Sequence, residues 1–157
     1  MDAGQTGPGV RLPPPVVFLA GLGLGFLLQR ALPLAFAAPG NPLPRWLGGL
    51  LTLGAGALAL WAFLTFRRAR TTVRPDRPAS ALLTRGPFRF TRNPLYLSLS
   101  LLHAGLALLA NALWPLLMLL PVLLVIRSYV VAREERYLLG RFGADYEAYR
   151  QAVRRWF

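Results

Sequence analysis

One uninterrupted run of uncharged residues, 46–66, most constrains what this chain can fold into. The run is 21 residues long. An α-helix needs about 20 apolar residues to cross the roughly 30 Å hydrocarbon core of a bilayer. Composition points the same way, because 55% of the 157 residues are hydrophobic and only 15% are charged, against about 25% charged in soluble domains. The sequence therefore predicts an integral membrane protein.

Further apolar segments lie before and after this run, the third of the predicted spans being somewhat short. The predicted spans are 16–38, 46–66, 95–110 and 113–132. The first is interrupted by Arg30 and Pro33, so either Arg30 reaches the far interface or the helix kinks at Pro33. An uncharged turn, Asn111-Ala112, joins the last two spans into a helical hairpin. The predicted fold class is an all-α membrane helical bundle, a single domain over 1–157 that begins with a poorly ordered tail, 1–15.

Two polar segments complete the chain. Residues 67–93 carry eight Arg and several Pro, which predicts an irregular loop with a short extended piece at 81–84. Residues 133–157 repeat apolar side chains at steps of three or four, which predicts amphipathic helices lying on the membrane surface and broken at Gly140 and Gly143. The apolar positions are Leu138, Phe142, Tyr146, Tyr149, Val153 and Trp156.

The distribution of Arg predicts the orientation of the chain in the membrane. All 18 basic residues are Arg and the net charge is +12. Nearly all of them lie in the two polar segments, and this bias places both segments and both termini on the cytoplasmic side. Because the Arg residues flank apolar runs, anionic lipid headgroups are the expected partner rather than nucleic acid. The oligomeric state is not predicted.

The first candidate for chemistry is the basic, aromatic stretch that leads into the third span. Asn93 and Pro94 form a natural helix start, with Asn93 as the N-cap. Arg89, Arg92 and Tyr96 surround that start more densely than a simple helix cap requires. Helix N-termini attract anions, so a carboxylate or phosphate could bind there.

The second candidate is the pair Glu134-Glu135, which directly follows the fourth span. Four of the six acidic residues of the chain lie between positions 134 and 147. A carboxylate can accept hydrogen bonds from ribose hydroxyls, as in dinucleotide sites. The alternative is a solvated charge cluster in which Arg133 and Arg136 offset the repulsion.

Other polar residues of the spans are weaker candidates. His103 is either a packed structural group or a catalytic one, and Arg127 either extends to the interface or faces inward toward an anionic substrate. Gly54-Ala55-Gly56 is most simply a close-packing motif. With no Cys and one His, no metal cluster or Ser/His/Asp triad is visible. A reaction that depends on binding and alignment, such as methyl transfer from a sulfonium, fits this inventory.

At these residues the sequence resembles the isoprenylcysteine carboxyl methyltransferase family, with its bacterial relatives and the phospholipid N-methyltransferases. The first motif that carries the resemblance reads Gly86-Pro87-Phe88-Arg89-Phe90-Thr91-Arg92-Asn93-Pro94-Leu95-Tyr96. The second motif is Glu134-Glu135 followed by Leu138, Phe142-Gly143, Tyr146 and Tyr149. Residues 71–75 resemble a further family stretch, in which Arg74 stands where Asn is usual.

The resemblance implies a membrane-embedded S-adenosylmethionine site in a bacterial inner-membrane protein. In the prenylcysteine enzymes an Arg shortly before the Glu pair is associated with the substrate carboxylate, and Arg133, or less directly Arg127, is the nearest match here. A lipophilic or amphipathic acceptor would arrive sideways from the bilayer. The residues implied to hold the cofactor are Arg89, Arg92, Asn93, Pro94, Tyr96, Glu134 and Glu135, with Gly54 and Gly56 as a looser match.

Several alternatives remain open at this point. The acceptor could be a carboxylate, amine, thiol or phenol, and an amine or phenol would need a base such as Glu134, Glu135 or His103. A membrane reductase of the sterol-reductase type would use NADPH on a similar architecture. A small four-span transporter would need a membrane-embedded carboxylate, and the predicted spans contain no Asp or Glu.

Overall fold

The computed structural model describes residues 7–71 and 80–156 of the chain. The prediction of an all-α helical bundle is confirmed, since the described part contains helices and, apart from one isolated bridge between Ala35 and Ala112, no strand pairing. The helices are α1 Pro14–Ala31, α2 Leu43–Arg68, α3 Pro94–Leu109, α4 Leu113–Val125 and α5 Ala132–Ala152, with a 3₁₀ turn Gly86–Arg89 and a π turn Ile126–Val131.

Three continuous helical segments are long and apolar enough to cross a membrane. They are Pro14–Ala31, Leu43–Arg68 and Leu113–Ala152, which includes α4, the π turn and α5. Helix α3 is also apolar but has only 16 residues. Charged residues are concentrated after position 132 of the longest segment, and the residues before that position are predominantly apolar. The chain is an integral membrane protein.

The first span is shorter than predicted. Helix α1 ends at Ala31 rather than continuing to residue 38, so it does not kink at Pro33. Leu32 has φ −133° and ψ 80°, because a residue that precedes proline is driven out of the helical region. The loop 32–42 then folds against the turn between α3 and α4. We call the end of the bundle that this loop and this turn form the turn end. The opposite end, which carries the 3₁₀ turn, the start of α3 and the residues after 132, is the Arg-rich end.

The longest helix continues where a boundary was expected. The π turn joins α4 directly to α5, and the break between the fourth span and the C-terminal segment does not exist. The helix is interrupted instead at Gly143, with φ 50° and ψ −122°, as predicted. Gly140 remains helical, so the second predicted break is wrong.

Two close helix pairs form the bundle. Helix α2 packs on α3, where an added Cβ at Gly48 would lie only 2.7 Å from the Gly105 carbonyl oxygen. Helix α1 packs on α4, where Gly25 lies directly against Pro115. Small residues allow helices to approach closely in membranes, where dispersion contacts replace the hydrophobic effect as the packing force. Only some of the glycines serve this purpose, since Gly23 faces open space.

The apolar face of α5 is not available to a membrane surface. Tyr146 and Tyr149 are buried and pack with Phe88 of the 3₁₀ turn, and Phe66 of α2 joins the same cluster. The prediction of a helix lying on the bilayer is therefore wrong for this face. The expected tail is also partly ordered, because Val10 is buried among residues of α4 and the π turn. Residues 1–6, 72–75 of the family resemblance, and Phe157 lie outside the described residues.

Candidate functional site

The 3₁₀ turn Gly86–Arg89 begins the site, and the predicted extended piece before it is not a strand. Gly86 has φ +60° and sits so close to α2 that an added Cβ would lie 2.5 Å from Thr65 Oγ1. Glycine is required there by both the backbone conformation and the contact. The turn directs Phe88 inward, where its ring meets that of Phe66 edge-to-face at 5.5 Å.

Asn93 precedes α3 as predicted, but its side chain does not cap the helix. Its Nδ2 donates instead to the Arg155 carbonyl at 2.9 Å. Asn93 therefore occupies the predicted N-cap position, but its amide is oriented by the C-terminal segment, a partner that no local pattern reveals. Pro94 occupies the first turn, so the remaining N–H groups of this turn form the partly positive end of α3.

The two adjacent glutamates have different environments. Glu135 accepts a bidentate contact from Arg155, with Nε–Oε1 at 2.9 Å and Nη2–Oε2 at 2.5 Å. Arg92 Nη1 lies 3.0 Å from Glu135 Oε1. Glu135 therefore holds the loop before α3 and the C-terminal segment together, and its oxygens are occupied by arginine.

Glu134 points the other way, toward α3. Its Oε1 accepts a hydrogen bond from the Tyr96 hydroxyl at 2.6 Å. The pKa of Glu134 is raised to about 7: burial is the largest cause, the hydrogen bond from Tyr96 opposes the shift, and the charge of Glu135 adds to it. A carboxyl group that titrates near neutrality inside a cleft is a typical feature of functional sites.

A cavity of about 80 Å³ lies beside Glu134. Its walls combine aromatic rings, a carboxylate, an arginine and the N-terminus of α3. Arg92 Nε is buried without a hydrogen-bond partner among the described residues, and a ligand acceptor would satisfy such a donor. The lining residues are Phe66, Phe88, Arg92, Asn93, Pro94, Leu95, Tyr96 and Glu134.

The residues that line the cavity suit a nucleoside ligand chemically, but the volume of the cavity is small for one. Aromatic faces suit a base, and the carboxylate suits hydroxyl or cationic groups. Small-molecule sites usually occupy about 300–1,000 Å³. The cleft must therefore widen for a ligand of nucleoside size to enter.

The C-terminal segment covers the loop that forms one wall. The Tyr149 hydroxyl donates to the Phe88 carbonyl at 2.7 Å, and Arg92 N–H donates to the Arg154 carbonyl at 3.1 Å. The Thr91 hydroxyl donates to the Arg155 carbonyl at 3.1 Å. Sequence reasoning missed Phe66, Phe88, Thr91 and Arg155. The only sequence signal for Arg155 was an excess of Arg near the end of the chain.

Two groups of predicted residues lie outside the cavity. Arg89 is exposed on the outer side of the 3₁₀ turn. Gly54 and Gly56 are exposed on α2, and an added Cβ at either position would meet nothing within 4 Å. Their proposed part in cofactor binding has no contact in the structure to support it.

The catalytic candidates are also dispersed. Arg127 is exposed on the π turn and does not face inward. Arg133 lies over the Tyr129 ring at 4.1 Å and donates to the Gly9 carbonyl at 3.3 Å. His103 is buried, with Nε2 at 2.8 Å from the Pro115 carbonyl oxygen, which indicates a structural group that donates from Nε2. It lies about 10 Å along α3 from Tyr96.

Comparison with known proteins gives one family and one relative. A profile of the family described as phospholipid methyltransferase matches residues 43–145. An uncharacterized protein of Haemophilus influenzae is 45% identical over 64 residues, which cover 40% of this chain and 98% of that protein. No solved structure matches the chain.

Proposed function

Because the chain belongs to the phospholipid methyltransferase family, we propose that its cavity binds S-adenosylmethionine and that the protein methylates a lipophilic or amphipathic acceptor. Membership makes it a membrane methyltransferase that acts on lipid-like substrates. The observation that carries the more specific proposal is Glu134, which is partly buried in a cavity lined in part by aromatic rings and hydrogen-bonded to Tyr96. When bound, the cofactor supplies a methyl group activated by a sulfonium.

We assign different residues of the cavity to different groups of the ligand. Phe66 and Phe88 provide apolar surface for a base, and Glu134 provides an acceptor for hydroxyl groups or a partner for a positive charge. The N-terminus of α3 and the unsatisfied Arg92 Nε suit an anionic group such as a carboxylate. Asn93, Pro94 and Tyr96 remain in the proposed cofactor site because they line the cavity.

Glu135 would affect the ligand indirectly, through the loop that it holds in place. By pairing with Arg92 and Arg155 it fixes the loop that carries Phe88 and Asn93. This positioning matters because methyl transfer depends on the alignment of donor and acceptor. We also propose that this end of the bundle lies at the cytoplasmic face, with both termini on that side, and the excess of Arg around the cavity supports this orientation.

The first test is calorimetric titration of detergent-solubilised protein with S-adenosylhomocysteine. Glu134→Ala should weaken binding about 10- to 100-fold, since hydrogen bonds to charged groups contribute about 1.5–3 kcal/mol. Asn93→Ala should weaken it less, because Asn93 holds the wall through Arg155.

The matched control is Glu147→Ala. Glu147 lies on the same helix but pairs with Arg150 at 2.9 Å, at the surface and away from the cavity lining. This variant should bind as the wild type does. Absence of binding by folded wild-type protein, or unchanged binding by both Glu134→Ala and Asn93→Ala, would refute the assignment. Binding of NADPH in place of the homocysteine compound would favour a reductase.

A further inference from the structure

An exposed pair of aromatic rings lies on the outer side of the wall that encloses the cavity. Phe90 is 67% exposed, and its ring centroid is 6.1 Å from that of Trp61 on α2, which is 45% exposed. Phe90 follows the 3₁₀ turn directly, whereas Phe88, two residues earlier, is buried and lines the cavity. The same short segment therefore presents one aromatic ring inward and one outward.

The depth of this pair corresponds to the interface of a membrane. The apolar part of α2 ends at Phe66 and is followed by Arg67 and Arg68. Trp61 lies five residues before Phe66, about 7.5 Å along the helix axis. Aromatic side chains are enriched at the boundary between hydrocarbon and headgroups, where an apolar ring can lie beside polar groups.

Exposed arginines lie close in sequence to both rings of the aromatic pair. Arg85 and Arg89 flank the buried residues of the 3₁₀ turn, and Arg67 and Arg68 follow on α2. No ion pair to these four residues is present within the described part of the chain. Between positions 80 and 133 the sequence contains no Asp or Glu. Such a surface is complementary to a negatively charged headgroup.

We propose that the Trp61–Phe90 surface, with Arg85 and Arg89, is a docking site for an anionic phospholipid of the bilayer. The aromatic rings lie against the upper part of the acyl chains, and the two arginines hold the phosphodiester. A lipid is the occupant rather than a free anion, because a soluble phosphate has no use for two exposed rings at membrane depth. If the cavity holds a methyl donor as proposed above, the docked lipid lies beside that donor, and only this further statement rests on the proposed function.

The test is quenching of tryptophan fluorescence by dibrominated lipids in uncharged detergent micelles. Dibrominated phosphatidylglycerol should quench saturably at a lower lipid fraction than dibrominated phosphatidylcholine. Trp61→Phe should remove the saturable component. Arg85→Gln with Arg89→Gln should shift the midpoint upward, by about five-fold for each Arg and roughly 25-fold together.

Matched controls come from the opposite end of α2. Arg45 is exposed there, next to Trp46, which is 76% exposed. Arg45→Gln should leave the phosphatidylglycerol midpoint unchanged, and Trp46→Phe should leave the saturable component in place. Thermal unfolding of each variant separates loss of docking from loss of folding.

Three results would overturn the docking site. These are equal quenching by the two lipids, persistence of the saturable component in Trp61→Phe, and displacement of phosphatidylglycerol by inorganic phosphate at comparable concentration. The quenching assay contains no S-adenosylhomocysteine, so its outcome is independent of the calorimetric titration. Selective quenching without nucleoside binding would leave the docking site standing and refute only the methyl-donor site.

Discussion

The two ends of the helical bundle use polar groups in different ways. At the turn end, Asn111 accepts from the Ala37 N–H and donates to the Ala37 carbonyl, both at 2.9 Å, and Leu113 N–H donates to the Leu34 carbonyl at 2.9 Å. The Trp114 indole N–H donates to the Leu32 carbonyl at 2.8 Å. These contacts are neutral, and they satisfy backbone groups that the loop would otherwise leave unpaired.

The Arg-rich end instead places charges around a cavity. Glu135 is fully engaged by two arginines, while its neighbour Glu134 has one hydroxyl partner and faces the cavity. Arg92 keeps a buried nitrogen without a partner among the described residues. The turn end thus closes the fold with satisfied polar groups, whereas the Arg-rich end keeps unsatisfied or weakly satisfied buried groups of the kind found at functional sites, and it is there that we propose the ligand binds.

The largest effect is expected where the Arg-rich end is held together. Glu135→Ala should lower the free energy of unfolding by about 3 kcal/mol, because removal of one partner leaves Arg92 and Arg155 without their counter-charge. The side chains of Arg92 and Glu135 are only 11% and 14% exposed, so solvent cannot replace the pair fully. Denaturation in mixed micelles measures the change.

Glu147→Ala is the matched control for that variant, since its partner Arg150 is 44% exposed. It should change stability far less than Glu135→Ala does, because an ion pair exposed to solvent contributes little. Equal effects from the two variants would mean that the Glu135 cluster is no more than a surface charge pair.

The pH dependence of stability should distinguish the two glutamates. The pKa of Glu134 rises from 4.5 to about 7 on folding. The folded protein therefore binds this proton more tightly than the unfolded chain, and the contribution to stability is present at low pH and lost as the pH rises toward 7. We expect a decline of about 1–3 kcal/mol across this window.

Glu134→Gln should flatten this part of the profile, and Glu147→Gln should retain it. The pKa of Glu147 is lowered by its hydrogen bond to Arg150, so its contribution has the opposite sign. A profile with the same slope in Glu134→Gln and the wild type would show that another group titrates.

A change at the turn end should affect stability without affecting the ligand. Asn111 has φ +49° and makes two side-chain hydrogen bonds to Ala37. Asn111→Ala should cost about 2 kcal/mol through lost hydrogen bonds and the strained backbone. Asn111→Gly keeps the backbone conformation and should cost less. Affinity for S-adenosylhomocysteine should stay unchanged in both, and a loss would show that the two ends are coupled.

The smallest effect is expected at the outer face of α2. Gly54→Ala should leave the affinity for S-adenosylhomocysteine unchanged and alter stability by less than about 0.5 kcal/mol, because the added methyl group meets nothing. Gly48→Ala on the same helix should destabilise by about 1–3 kcal/mol through overpacking against α3. Weakened ligand binding in Gly54→Ala would restore this glycine to the cofactor site.

The sequence predicted the helices well because a long apolar run marks each of them, although α3, with 16 residues, is shorter than the roughly 20 that a bilayer span requires. It also singled out Asn93, Tyr96 and Glu134, which the structure brings to one cavity. It could not separate Glu134 from Glu135, because their different partners come from segments 38 and 20 residues away.

Other errors have local physical causes. The end of α1 was missed because the apolar run continues past Pro33, whereas the helix ends at Ala31. The continuity through the π turn was missed because the change from apolar to charged residues marks a membrane boundary and not a helix end. The packing of the α5 face on Phe88 was missed because an amphipathic pattern does not reveal which apolar surface covers it.

The placement of the methyl-donor site at the Arg-rich end is tested most directly by hydrogen–deuterium exchange of the solubilised protein with and without S-adenosylhomocysteine. The account predicts slower exchange in peptides that cover 86–97 and 132–156, and no change in peptides that cover 32–42 and 108–114. In Glu134→Ala this protection should be lost at the same ligand concentration. Protection at the turn end, or none at the Arg-rich end under saturating ligand, would contradict the placement of the methyl-donor site.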